Sequence, residues 1–245
     1  MSLTLVIGNK NYSSWSMRPW VLLKQFGIAF EEIMLKFESA EWTDRIARLA
    51  PTKKVPTLWD GEPGAGTSIA VWETIAIIEY IADRFPQHDI WPDDTAARAM
   101  ARAIAAEMHA GFQSLRSNMP MNIRSHHPGK GMLPGVAGDT ARVESIWRSA
   151  RERFGSRTEA PFLFGQFCAA DAMFAPVVMR FATYEPPLSA ASLRYCEAVR
   201  AAPGVAAWIA EARRETEFVG FDEPYATSAT QATPATPVTP VTPPA

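Results

Sequence analysis

The sequence predicts a small α/β domain followed by an all-helical one. Three observations carry this. Short β-branched runs alternate with helical periodicity only as far as about residue 85. An Ala-rich amphipathic pattern without strand signals then runs from about residue 92. And 245 residues of which 47% are apolar fit one large domain or, preferably, two small ones, with enough side chains to bury a sizeable core. The expected organisation is residues 1–85 for the first domain, 86–91 for a linker, 92–225 for the helical domain and 226–245 for a tail.

Leu3 to Ile7 is a short apolar run suited to a buried strand. Gly8 to Ser14 is turn-rich, and Trp15 to Phe26 reads as a helix ended by Gly27. Pro19 fits only a first helical turn, which puts the start near Ser14 to Ser16. Ala29 to Phe37 reads as a second strand and Ala40 to Leu49 as a helix stopped by Ala50-Pro51. Val55 to Trp59 and Thr67 to Trp72 flank Asp60-Gly61 as a hairpin. Glu73 to Phe85 carries apolar residues at helical spacing. Beyond Pro86, helices are expected over 95–118, 140–154, 171–184, 190–199 and 205–217. A Pro/Gly-rich loop at 120–139 holds His126 and His127. The Ala/Thr/Pro/Val tail reads as solvated chain of polyproline character.

Composition removes several functions. Lys plus Arg number 24 and Asp plus Glu 26, with no basic face or run, so neither nucleic acid nor an anionic membrane is the expected partner. The apolar stretches are interrupted well short of a membrane span, and no leader pattern precedes the first strand. Two cysteines, Cys168 and Cys196, and four dispersed histidines supply no disulfide framework and no metal set. A reduced, cytoplasmic, metal-free protein is expected.

Chemistry concentrates in the first 85 residues. Tyr12-Ser-Ser-Trp-Ser-Met-Arg18 places hydroxyls where the first strand hands over to the first helix. There, backbone N–H groups and the helix dipole favour an anion. A plain helix cap by Ser13 or Ser14 is the alternative. Val55-Pro56, after Lys53-Lys54, would turn the Val55 backbone outward if its bond were cis, open to pairing with a peptide-like ligand. An ordinary trans proline at a strand edge is the competing reading. Trp72-Glu73-Thr74 starts a helix with a hydroxyl and free N–H groups for a carboxylate and Glu73 for an ammonium, the two ends of an amino acid.

Taken in order, S-S-x-S-x-R, V-P-T-L and W-E-T-I-A-I-I-E-Y-I resemble the glutathione S-transferase family. Phe167-Cys-Ala-Ala-Asp-Ala172 and Pro203-Gly-Val-Ala-Ala-Trp-Ile209 are similar to the capping segment and a late helix of its helical domain. The likeness covers about residues 3 to 220. It implies a thioredoxin-like first domain, glutathione as co-substrate, a homodimer, and a reaction with small hydrophobic electrophiles. On the resemblance, Val55 pairs with the cysteinyl unit, Pro56 is cis, Glu73 and Thr74 hold the γ-glutamyl end, and Lys54 lies near the tripeptide. Ser13 or Ser14 activates the sulfur. Ser13 matches the reactive position of the cysteine-type and zeta-like branches and ranks slightly ahead, whereas Ser14 matches the theta-like spacing. Arg18 orients the loop or raises the local potential. Met108, Phe112, Arg116 and Met119 are expected to line the electrophile pocket from the first long helix of the second domain, with helix packing as their alternative role.

Two departures from the family pattern stand out. Cys168 replaces the usual Ser or Thr at the cap, a poorer acceptor, while Asp171 keeps the reciprocal bond. Lys54 stands where zeta-like relatives often carry Gln. Besides conjugation, two readings stay open: a glutathione-dependent isomerase of the maleylacetoacetate type, and a non-catalytic protein-binding module. Mixed-disulfide reduction is disfavoured because the loop has no cysteine.

Overall fold

The computed structural model describes residues 2–155 and 161–227. From position 228 on, the tail expected from the composition lies outside the described residues. The N-terminal domain is a four-stranded mixed sheet, β1 (Leu3–Ile7), β2 (Phe30–Met34), β3 (Thr57–Asp60) and β4 (Ile69–Trp72), in the order β2-β1-β3-β4. β2 runs parallel to β1, β3 antiparallel to β1 and β4 antiparallel to β3. β1 is central and wholly buried, as its unbroken apolar run requires.

Helix α1 (Ser14–Gln25) and α3 (Thr74–Arg84) cover one face of the sheet. On the other face Val6, Leu35 and Trp59 pack against Ile46 of α2 (Ala40–Leu49). The Ser39 hydroxyl accepts from the Trp42 N–H at 3.0 Å and sets the start of α2. β2 is shorter than its sequence pattern suggests: pairing with β1 ends at Met34, and Leu35 N–H closes onto Ile7 O at 2.8 Å.

The C-terminal region is mostly helical: α4 (Thr95–Ala110), α5 (Gln113–Asn118), α6 (Val136–Ala150), α7 (Ala169–Tyr184), α8 (Ala190–Ala201) and α9 (Pro203–Ala212). Asp94 caps α4 through the Ala97 N–H. α7, apolar nearly all round, is the core of this region, and α1 packs on both α7 and α9. Close approach explains Gly204: a Cβ there would lie 2.6 Å from Val21 O.

Three expectations need correction. The single helix expected over 95–118 breaks at Gly111, where a Cβ would meet Glu107 O at 2.9 Å, and at Phe112, which adopts a left-handed φ of 59°. The expected helix 140–154 starts earlier, at Val136, and ends in a wider π-helical turn over Arg151–Gly155. The last helix stops at Ala212 instead of 217, because Glu215 turns back to accept from the backbone N–H of Lys10 (2.6 Å) and Asn11 (3.0 Å).

The second domain is fastened to the first by a buried cation. Lys10 Nζ pairs with Glu32 at 2.7 Å and with Glu211 of α9. It lies 4.8 Å from the Trp20 ring centroid and 5.7 Å from that of Trp208.

Candidate functional site

A cavity of about 670 Å³ opens at the N-terminal end of α1, within the range of small-molecule sites. Its floor is the loop Tyr12 to Trp15, one wall is Phe37, Trp42 and Lys53 to Val55, and the opposite wall comes from Gln113, Arg116, Met121 and Arg180. The chain following α9 forms a roof with Phe221, Asp222 and Pro224. The roof is tied down where Tyr12 O–H donates to Glu223 at 2.7 Å and Tyr225 O–H to Asn118 O at 2.8 Å. Burial beside Glu223 pushes the Tyr12 phenol up to about 12, so it stays protonated and committed to the roof.

The two serines differ. Ser13 is the N-terminal flanking residue of α1, but its side chain makes no capping bond, so the simple-cap reading does not hold. Its hydroxyl donates to Ser16 Oγ at 2.7 Å, and Ser16 Oγ in turn accepts from Gly8 N–H. Ser14 is half-buried, and its oxygen accepts from Arg180 Nη2 over a long 3.4 Å contact. That arrangement uses the oxygen of Ser14 and leaves its O–H to point at a ligand.

The Val55–Pro56 peptide is cis, and Val55 and Lys54 stand on the cavity wall. Thr74 is buried and its hydroxyl donates to Trp15 O at 3.2 Å, which links the start of α3 to the serine loop. Glu73 is exposed and takes φ 66°, ψ 121°, a strained conformation for a side-chain-bearing residue and a frequent mark of functional positions. Its carboxylate lies 3.6 Å from His109 Nε2. Desolvation holds His109 below its ordinary value despite Glu73, so the imidazole is neutral at pH 7.

Arg18 lies behind the floor. It is fully buried, donating from Nε to Met173 O (2.9 Å) and from Nη1 to Ser14 O (2.8 Å). Burial first, then Arg180 and Arg116, holds its guanidinium well below the ordinary value, and burial followed by Arg116 brings Arg180 down to about 10. Of Met108, Phe112, Arg116 and Met119, only Arg116 lines this cavity. Met108, Phe112 and Met119 belong to the hydrophobic core, because the break at Gly111 removes the continuous helical face on which they would align. Sequence reasoning missed Arg180, although a basic residue in the apolar stretch of α7 beyond Asp171 was its signal. It also missed the aromatic pair Phe37 and Trp42, packed edge to face at 5.1 Å.

The capping segment of α7 forms a capping box with both arms present, the Cys168 side chain accepting from the Asp171 backbone N–H and Asp171 accepting in return. Asp171 accepts from Cys168 N–H (2.9 Å), Leu163 N–H (3.1 Å) and Tyr195 O–H (2.9 Å). The Cys168 thiol is buried and burial pushes it up, which suits a small packing group. Among the described residues no group of His, Cys, Asp and Glu is arranged to hold a metal.

Residues 12–84 match the family model described as glutathione S-transferase, N-terminal domain, and residues 134–211 that described as its C-terminal domain. The chain is 31% identical over 105 residues to a probable maleylacetoacetate isomerase of Caenorhabditis elegans, covering 42% of this chain and 45% of that protein. It is 29% identical to mouse glutathione S-transferase theta-1 over 38% of each. Each of these alignments thus spans less than half of the curated relative. Among solved structures, a glutathione transferase homolog from Burkholderia with bound glutathione superposes with TM-score 0.64 at 24% identity, over 87% of this chain and 98% of that one. Human glutathione-S-transferase T1-1 in its apo form gives 0.60 at 21%, over 96% and 94%. At those identities the structures speak for the fold.

Proposed function

Because this chain belongs to the glutathione S-transferase family, we propose that it binds glutathione in the cavity at the head of α1 and activates its thiol for attack on a small electrophile. The observation that carries the reading is the Ser14 hydroxyl on the cavity floor, its oxygen held by Arg180 and its proton free. Val55, presented beside the cis bond, pairs with the cysteinyl backbone. Lys54 takes the glycine carboxylate, and Glu73 and Thr74 take the γ-glutamyl end. Ser14 then stands ahead of Ser13, whose hydroxyl already donates to Ser16.

The energetics are within reach of these groups. A free thiol has a pKa of about 8.5, and lowering it by ~2 units requires about 2.7 kcal/mol of preference for the thiolate. A charge-assisted bond from a hydroxyl contributes about 1.5–3 kcal/mol, and the N-terminus of α1 adds about 0.5 kcal/mol. The thiolate sulfur forms a bond to the electrophilic carbon. Either a leaving group departs with the bonding electrons, or the carbanion formed by addition takes a proton from solvent. The active form is a homodimer in the cytoplasm.

The names of several relatives favour a second reading, in which the adduct collapses and returns glutathione after cis–trans isomerisation. The deciding experiment is an ultraviolet difference spectrum of the glutathione complex across pH. A thiolate band with a midpoint of about 6.5 is expected, and a bound thiol titrating at its free value overturns the reading. Substrate screening with and without net consumption of glutathione then separates conjugation from isomerisation.

A further inference from the structure

Three arginines from three elements converge on Ser14 and Trp15. The guanidinium carbons of Arg18 (α1) and Arg116 (α5) lie 4.4 and 4.6 Å from the Trp15 ring centroid, and Arg180 (α7) reaches Ser14 Oγ. Among the described residues, none of the three has a carboxylate within 4.0 Å. Their bonds go to neutral carbonyl oxygens: Arg116 to those of His109 and Gly111, Arg180 to those of Met119 and Pro176. Arg18 Nη2 is buried without a partner. Like charges gathered in a poorly hydrated site repel strongly, and an anion entering it is correspondingly stabilised.

Two of the three, Arg116 and the 4%-exposed Arg180, form part of the cavity wall itself. We propose that the second substrate of this cavity is an anionic electrophile whose carboxylate is held by Arg116 and Arg180 while its reactive carbon faces Ser14. This rests on the preceding section only for the thiolate that reacts. A guanidinium pair suits a planar carboxylate, and the aromatic lining from Trp15, Phe37 and Trp42 suits the organic body attached to it. A single negative charge fits better than a dianion, because Asp222 faces the same space from the roof. Asp222 is also the natural competitor of the ligand, since Arg180 is the cation that acts on its carboxylate.

Calorimetric titration of the full chain, saturated with unreactive S-methylglutathione at pH 7.5, tests this with 3,5-dinitrobenzoate and its methyl ester. No turnover is needed, so the result is independent of the thiolate titration. The acid is expected to bind at least tenfold more tightly than the ester. Arg116→Gln should shrink that gap to under threefold, Arg116→Lys should restore part of it, and Asp222→Asn should widen it about threefold. Equal affinities, absence of binding by both compounds, or a gap unmoved by Arg116→Gln overturns the proposal. So does a gap seen only without S-methylglutathione, which would assign the arginines to the carboxylates of glutathione instead.

Discussion

Two places where this protein buries positive charge between its halves are treated in opposite ways. Lys10 is surrounded by carboxylates: Glu32 and Glu211 hold its ammonium, and Glu215 takes its backbone N–H. Among the described residues, Arg18, Arg116 and Arg180 meet only carbonyl oxygens, a serine and an indole. The Lys10 cluster is closed and lies away from the cavity, while the arginine cluster opens onto it. A satisfied buried charge fastens a fold; an unsatisfied one at a cavity wall is poised to receive a ligand.

The contrast can be broken by mutation, and the largest effect is expected on the closed side. Lys10→Met strands two partly exposed glutamates and should lower stability by about 2–3 kcal/mol, read as a fall in the urea midpoint, with turnover per folded molecule unchanged. On the open side, Ser14→Ala should cut kcat/KM about 10- to 30-fold, or ~1.4–2 kcal/mol, and return the bound thiol towards its free pKa. Ser13→Ala should do less. If the ranking reverses, the donor is Ser13.

A smaller effect concerns pH. Burial pushes Asp222 up to about 6 from 3.8, so the folded state holds that proton more tightly than the unfolded chain. Its contribution to stability is therefore full below about pH 4 and lost as pH rises through 6. Asp222→Asn should gain about 1 kcal/mol at pH 8 and nothing at pH 3.5, a difference visible in thermal melts at the two values. The smallest expected change is Arg116→Gln, within about 0.5 kcal/mol of wild type, because no carboxylate is orphaned by the loss. A cost near that of Lys10→Met would mean that Arg116 is structural after all.

How much of this was legible in the sequence follows the same division. The elements through α3 emerge within a few residues, because apolar periodicity, Pro19 and the capping residues are local signals. The serine loop, Val55-Pro56 and Glu73-Thr74 are legible for the same reason, being short runs next to element boundaries. The break at Gly111 is hidden in a uniform Ala-rich pattern. It moves Met108, Phe112 and Met119 off the face where helical spacing would align them. Arg180 is visible as an anomaly in α7, but what it faces depends on how α7 lies against α1 and α5. No local pattern records that.

The roof has a consequence in time. One of its anchors joins residues 211 apart, Tyr12 with Glu223, so the cavity is among the most non-local features of the chain. Contacts of that separation bear the full entropy of closing a long loop and form late. At about 5–20 residues per second, a ribosome that has delivered the serine loop needs about 10–40 s more to deliver the segment that covers it. Until then Trp15, Phe37 and Trp42 of the cavity lining have no lid over them.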